Sequence, residues 1–283
     1  MMHFNVLTLF PEFFDSFKEV SIIKNAIAKK KISIDAFNIR NQTTDKHKIT
    51  DDAPFGGGSG MIMKAEPILK SIDMVKEKQP ESRIILLTPK GIPFNQELAQ
   101  KLSELKSITF VCPRYEGVDE RVITKIDLEI SLGDYIISGG EAAAMVMIDA
   151  ISRLIKGVLG NSSSLDEETF NGSLLEYPQY TRPESLPTEL IKNDSTTSSA
   201  IKSTTGIFHL LQKSEVPKVL LSGNHAEIKK WRRIQSIVQT YLKRPDLLKK
   251  AILSKEEKIF LKKYSSKKLS IHELKLLKGE IDE

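Results

Sequence analysis

Two glycine-centred segments constrain this chain more than any other feature. Pro113-Arg114-Tyr115-Glu116-Gly117, continuing through Val118-Asp119-Glu120-Arg121, follows the β-branched run Ile108-Thr109-Phe110-Val111. Leu132-Gly133-Asp134-Tyr135-Ile136-Ile137-Ser138-Gly139-Gly140-Glu141 follows Leu128-Glu129-Ile130-Ser131. Each also precedes a helix-like pattern, so both read as strand-to-helix loops of the kind that lines a ligand crevice in an α/β sheet. Two such loops in succession make one pocket.

The surrounding pattern supports a layered α/β fold. Asn5–Leu9 reads as a buried strand, and Pro11 opens a helix over Glu12–Lys18 with Phe13, Phe14 and Phe17 facing inward. Ile32–Phe37 alternates as a second strand. Pro67–Lys78 is an amphipathic helix, Arg83–Thr88 a fully buried strand ending at Pro89-Lys90-Gly91, Asn95–Lys106 a helix capped by Asn95, and Ile108–Cys112 a strand. Strands alternating with helices imply a largely parallel sheet covered on both faces. The loops around Pro89, Arg114 and Gly133 then converge at its carboxyl edge. Glu141–Ile155 is a helix that is apolar nearly all round, so it belongs in the core or at a subunit interface.

Several function classes drop out on composition. A single cysteine, Cys112, excludes internal disulfides and multi-cysteine zinc sites, and reads as core rather than nucleophile. The five histidines include no His-Glu-x-x-His pair. No carboxylate cluster has the spacing of a ligand set, so a magnesium requirement is not readable. The polar loop from Asn41 to Gly60, with Pro54-Phe55-Gly56-Gly57-Gly58-Ser59-Gly60, fits neither the dinucleotide fingerprint nor a P-loop, which counts against a nicotinamide-dependent oxidoreductase. With no leader-like N-terminus and no run able to span a bilayer, a cytoplasmic protein is expected.

Charge divides the chain. From Val216 onward there are 17 Lys+Arg against 8 Asp+Glu, net +9, whereas the preceding residues carry 25 against 29, net −4. A basic C-terminal part suits a polyanion such as nucleic acid. Its densest cluster, Lys229, Lys230, Trp231, Arg232 and Arg233, falls on a helix expected over His225–Tyr241 and capped by Asn224. The serine-rich stretch after Gly157 is the best domain boundary. The expected organisation is a ligand-binding domain over 1–160, a linker with a Ser/Thr-rich insertion over 161–215, and a basic helical domain over 216–283.

These motifs together carry a resemblance. Leu9-Phe10-Pro11-Glu12, Asp51-Asp52 with Pro54-Phe55-Gly56-Gly57-Gly58, Arg114 to Arg121, Gly133-Asp134-Tyr135 with Ser138-Gly139-Gly140-Glu141, Gly157-Val158-Leu159-Gly160-Asn161, Tyr180-Thr181-Arg182-Pro183 and Leu220 to Ile228 occur in the order found in bacterial tRNA (guanine-N1)-methyltransferases, the TrmD family of the SPOUT class, which the chain closely resembles.

The resemblance implies an α/β methyltransferase with a mostly parallel sheet, a deep trefoil knot and a small helical C-terminal domain. It also implies a homodimer with active sites at the subunit interface. The donor would be S-adenosylmethionine and the substrate guanine N1 at position 37 of tRNA, next to the anticodon. The nearest alternatives are another SPOUT-type RNA methyltransferase and a non-catalytic RNA-binding protein.

Methylating N1 requires a base for its proton and backbone acceptors around the donor. By resemblance Glu168 stands at the base, Arg153 supports it, and Glu116 belongs to the donor pocket. The other donor contacts would come from Leu87, Thr88, Pro89, Pro113, Tyr115, Leu132, Gly133, Asp134, Tyr135, Ile136, Ile137, Gly139 and Gly140. Lys229, Lys230, Trp231, Arg232 and Arg233 would meet tRNA. The chain departs from the family at Pro113, usually glycine, at Glu168, usually aspartate with Asp166 and Glu167 beside it here, and in a long 187–215 segment.

Overall fold

The central sheet has five strands, all parallel, in the order β2-β1-β6-β5-β7. The structure is a computed structural model that describes residues 1–159, 174–190 and 214–280. The strands are β1 (Met2–Thr8), β2 (Ile32–Asn38), β5 (Arg83–Pro93), β6 (Ser107–Val111) and β7 (Leu128–Ser131). The short β3 (Asp51–Asp52) and β4 (Ile62–Met63) form a separate antiparallel pair. The helices of this part are α1 (Phe13–Lys18), α2 (Ser21–Ala28), α3 (Ala65–Lys78), α4 (Gln96–Ser103) and α5 (Gly140–Leu154).

Alternation along each strand sorts side chains into two cores. Val6, Ile85, Leu87, Phe110 and Ile130 pack against α1, α2, α4 and α5 through Phe14, Ile23, Leu102 and Met147. Leu7, Ile84, Leu86 and Val111 pack on the opposite face against Ile68, Ile72 and Val75 of α3. Both faces are therefore buried, which is why β5 and β6 read as continuous apolar runs.

The expected elements are present, with several differences, and the helix-like pattern after Gly117 is only a 3₁₀ turn over Glu120–Lys125. Asn95 caps α4 by accepting from the Leu98 amide at 2.9 Å, but that helix stops at Ser103. Phe13 does not face inward: it is 44% exposed, while Phe14 is fully buried. α2 was not among the expected elements, although Ile22, Ile23, Ala26 and Ile27 recur at helical spacing.

β5 also runs past Thr88 to Pro93. Leu87 and Ile92 both face Ile130 of β7, so Thr88–Gly91 stand out of the ladder as an excursion between two paired stretches. A β-carbon on Gly91 would lie 2.4 Å from the Glu129 carbonyl carbon and 2.4 Å from the Ile130 nitrogen. Only glycine lets the strand return so closely to its neighbour.

The chain divides into two units, Met1–Ser162 and Ser163–Glu283. Described helices of the second are α6 (Lys218–Leu221), α7 (His225–Lys243), α8 (Pro245–Leu248), α9 (Lys255–Ser265) and α10 (Ile271–Lys278). Ile234 and Val238 of α7 and Phe260 of α9 form its core, joined by Leu276 and Leu277 of α10. Among the described residues no helix is long and apolar enough to cross a membrane.

Candidate active site

The carboxyl ends of β5, β6 and β7 open into a cleft of about 430 Å³ in the first unit. The chain moves from β5 to β6 in one direction and passes back over β5 to reach β7. A crevice at such a reversal is the usual ligand position in an open parallel sheet. Its walls are the Thr88–Gly91 excursion, the loop after β6 and the loop after β7. The cleft therefore joins the three loops whose convergence the strand pattern predicts.

Thirteen of the fourteen donor-site residues named from the sequence line this cleft: Leu87, Thr88, Pro89, Pro113, Tyr115, Glu116, Leu132, Gly133, Tyr135, Ile136, Ile137, Gly139 and Gly140. Asp134 is the exception. Tyr135, Ile136 and Ile137 are 55%, 83% and 41% exposed, giving the cleft an apolar rim. Pro113 supplies no amide hydrogen, and its carbonyl accepts from the Gly140 amide at 3.0 Å, tying the first loop to the start of α5.

Tyr115 has φ +59°, in the left-handed region that a bulky residue enters at a cost. The loop around it is held from above by the β3–β4 segment. The Glu116 amide donates to the Met61 carbonyl at 3.1 Å, the Met63 amide to the Gly117 carbonyl at 2.9 Å, and the Asp119 amide to the Met63 carbonyl at 2.9 Å. Gly60 lies against the Glu116 side chain, where a β-carbon would come within 2.6 Å of Cγ. The end of the glycine-rich loop, from Gly60 to Met63, is thus tied to the Arg114–Gly117 turn.

Beyond that turn, Asp119 caps the 3₁₀ turn Glu120–Lys125 by accepting from the Arg121 amide at 2.9 Å. Its carboxylate also takes both Arg121 Nε and Nη2, and this hydrogen bonding holds its pKa down at about 2. Asp119 and Arg121 are accounted for by local structure. Cys112, fully buried at the end of β6, has its thiol pushed well up by burial and then by the nearby Glu141 carboxylate, so it stays protonated.

Two motif residues for which sequence reasoning found no role meet at the cleft wall, Arg114 within its lining and Glu141 buried next to it. Arg114 Nε lies 3.0 Å from Glu141 Oε2, poorly aligned for a hydrogen bond, so the contact is chiefly one of charges. The signal was an arginine in one loop motif and a glutamate closing the other. Their pairing is a long-range contact that spacing alone does not show.

Of the three residues named for chemistry, Glu116 is in the cleft. Arg153 is thirteen residues along α5 from Gly140, about 20 Å from the cleft end of the helix at 1.5 Å per residue. The structure therefore does not bring Arg153 to the cleft of its own chain. Glu168, with Asp166 and Glu167, lies outside the described residues, as does most of the 187–215 segment. Among the described residues no group of three or more His, Cys, Asp or Glu is gathered to hold a metal ion.

The cluster on α7 is divided by the helix. Lys229 and Lys230 are exposed, but Trp231 is 2% exposed, packed 6.4 Å from the Tyr180 ring. It shares a buried stripe with Ile234, Gln235 and Val238, so it is a core residue and offers no stacking face to a base. Arg232 lies over the Tyr177 ring at 4.7 Å, and Arg233 makes a two-pronged pair with Glu257 of α9 at 2.7 and 3.1 Å. A second cleft, of about 460 Å³, lies beside Lys230, His272 and Lys275 with Glu227 and Glu280 among its walls.

A tRNA (guanine-1)-methyltransferase model, TrmD, matches residues 2–198 and 208–250. The chain belongs to the TrmD family. Similar proteins include the tRNA (guanine-N(1)-)-methyltransferase of Caldanaerobacter subterraneus subsp. tengcongensis, 49% identical over 261 residues that cover 92% of this chain and 98% of that protein. Those of Dictyoglomus turgidum (44% identical; 91% and 94% covered) and Clostridium botulinum strain Hall (46%; 94% and 100%) are also similar. Family membership agrees with the methyltransferase reading reached from the motifs, and the match spans both units.

Proposed function

We propose that this enzyme methylates N1 of guanine at position 37 of tRNA, beside the anticodon, with S-adenosylmethionine as the donor. The observation that carries the reading is the cleft itself: three backbone-rich loops at the carboxyl edge of a parallel sheet, in a chain of the TrmD family. Its volume lies in the range of about 300–1,000 Å³ usual for small-molecule sites. A glycine-lined wall lets backbone groups approach a ligand, and the apolar rim of Tyr135, Ile136 and Ile137 suits an adenine face.

When bound, S-adenosylmethionine supplies an electrophilic methyl on a sulfonium. The residues Leu87 to Pro89 and Leu132 to Ile137 would hold its adenosine part, and Glu116 would face its other end. This assignment takes the threading of the loops to be the family's trefoil knot, which holds the donor bent. Guanine N1 carries a proton that must leave as the methyl arrives, and a carboxylate is the group suited to take it at neutral pH. Glu168 is assigned that role and Arg153 that of supporting it.

Arg153 requires a second copy of the chain. Its separation from its own cleft, and the 49% exposure of Val146 on the outer flank of α5, support a homodimer in which each active site draws on both subunits. Residues 1–160 would be the donor domain, 161–215 the linker carrying Glu168, and 216–283 the tRNA-binding domain, acting in the cytoplasm where tRNA is found. Glu168→Gln keeps the side chain's shape and removes the base. It should abolish turnover and leave donor affinity nearly unchanged in calorimetry. Retained turnover, with Asp166→Asn inactive instead, would move the base by two residues.

A further inference from the structure

Glu141 is used by none of the chemistry above, yet it is 1% exposed. At the start of α5 its Oε1 accepts from the Thr8 hydroxyl at 2.6 Å, at the end of β1, and its Oε2 is the charge 3.0 Å from Arg114 Nε. The Arg114 side chain is 18% exposed; its guanidinium lies 4.6 Å from the Phe10 ring centre and 5.4 Å from that of Phe13, and Nη1 donates to the Ser138 carbonyl at 3.4 Å. Gly139 makes room for the pair. A β-carbon there would fall 2.3 Å from Arg114 Nε and 2.5 Å from Glu141 Oε2.

Arg114 thus touches three separate segments while its own backbone leads into the cleft. The next residue is the left-handed Tyr115, and the Gly117 amide closes the turn on the Arg114 carbonyl at 3.2 Å. A turn in that conformation persists only when its surroundings hold it. The buried end of the turn is fixed by its side chain, and the exposed end carries Tyr115 and Glu116.

We propose that Arg114 and Glu141 are positioning residues for the donor cleft. Their ion pair locks the end of β1, the loop after β6 and the loop after β7 into one wall, and so orients Tyr115 and Glu116. This deepens the reading of the cleft as the S-adenosylmethionine site and rests on it. The alternative is a pair that only stabilises the fold. Physical chemistry separates the two, because removing one member of a buried pair strands a charge, whereas replacing both with neutral groups of similar volume is often tolerated.

The test uses the full-length protein and four variants: Glu141→Gln, Arg114→Gln, the double variant, and Arg114→Lys, which keeps the charge but lacks the planar fork. Melting temperature, donor Kd by calorimetry and tRNA Kd are measured for each. Both single glutamine variants should melt lower, and the double variant should regain most of that loss. Donor Kd should remain raised by about tenfold or more in the double variant and in Arg114→Lys, with tRNA Kd unchanged.

A donor Kd that returns to the wild-type value together with the melting temperature would leave the pair purely structural and overturn the proposal. Should the double variant not fold, Arg114→Lys decides alone: tight donor binding in that variant overturns it. Failure of the parent reading looks different, since the wild-type protein itself would then not bind S-adenosylmethionine.

Discussion

At Gly91 a single missing β-carbon sets the shape of the cleft. The strand leaves the ladder after Leu87 and re-enters at Ile92 with no space between Gly91 and the Glu129–Ile130 backbone. Gly91→Ala should force β5 and β7 apart at a cost of about 1–3 kcal/mol, as overpacking usually does, seen as a lower urea midpoint. Donor affinity should fall with it, because Thr88 to Lys90 line the site.

Residues differ in how far the sequence exposes such roles. Asn95 as a cap was readable, since capping is local. Trp231 reads as part of a basic surface because four cations flank it in the chain; its spacing to Ile234, Gln235 and Val238 carries the contrary signal. The Arg233–Glu257 and Arg114–Glu141 pairs span 24 and 27 positions, and no local pattern encodes them.

Elements were legible where their periodicity is self-contained. β2 and β6 lie within a residue of where the apolar runs put them, because each is decided by its own burial pattern, whereas β1 begins at Met2 rather than Asn5 and α3 at Ala65 rather than Pro67. The second half of β5 was not, since Pro89 and Gly91 signal a break and the renewed pairing depends on β7, some forty residues on. In the second unit, α9 and α10 start with reciprocal Ser–Glu capping boxes, Ser254 with Glu257 and Ser270 with Glu273.

Glu273 links that cap to α9, accepting from Lys263 at 2.8 Å. This hydrogen bond, with those from Ser270, lowers its pKa from an ordinary 4.5 to about 2. A carboxyl lowered on folding adds stability above its unfolded value and loses it as pH falls from about 4.5 towards 2. Glu273→Gln should flatten the acid side of the stability curve in that window, followed by circular dichroism at low salt. An unchanged curve would show that the pair does not couple α9 to α10.

For the whole molecule, the separation of charge bears on substrate binding. The excess of cations from Val216 onward predicts tRNA affinity that falls steeply with salt, through release of counterions from the phosphates. Lys229→Ala with Lys230→Ala should weaken tRNA binding, reduce that salt slope and leave donor Kd alone. Arg233→Ala, whose half-exposed guanidinium is already paired with the more covered Glu257, should chiefly lower stability, by about 1 kcal/mol. Equal loss of tRNA affinity in both would mean that Arg233 reaches the phosphates as well.

The most direct test of the central claim is incubation of the protein with tRNA transcripts bearing a guanosine 3′ to the anticodon and methyl-labelled S-adenosylmethionine, followed by nucleoside analysis. Label should appear in 1-methylguanosine, and replacing that guanosine with adenosine should abolish it. A protein that binds the donor yet transfers no methyl, or label recovered in a different nucleoside, would contradict the assignment.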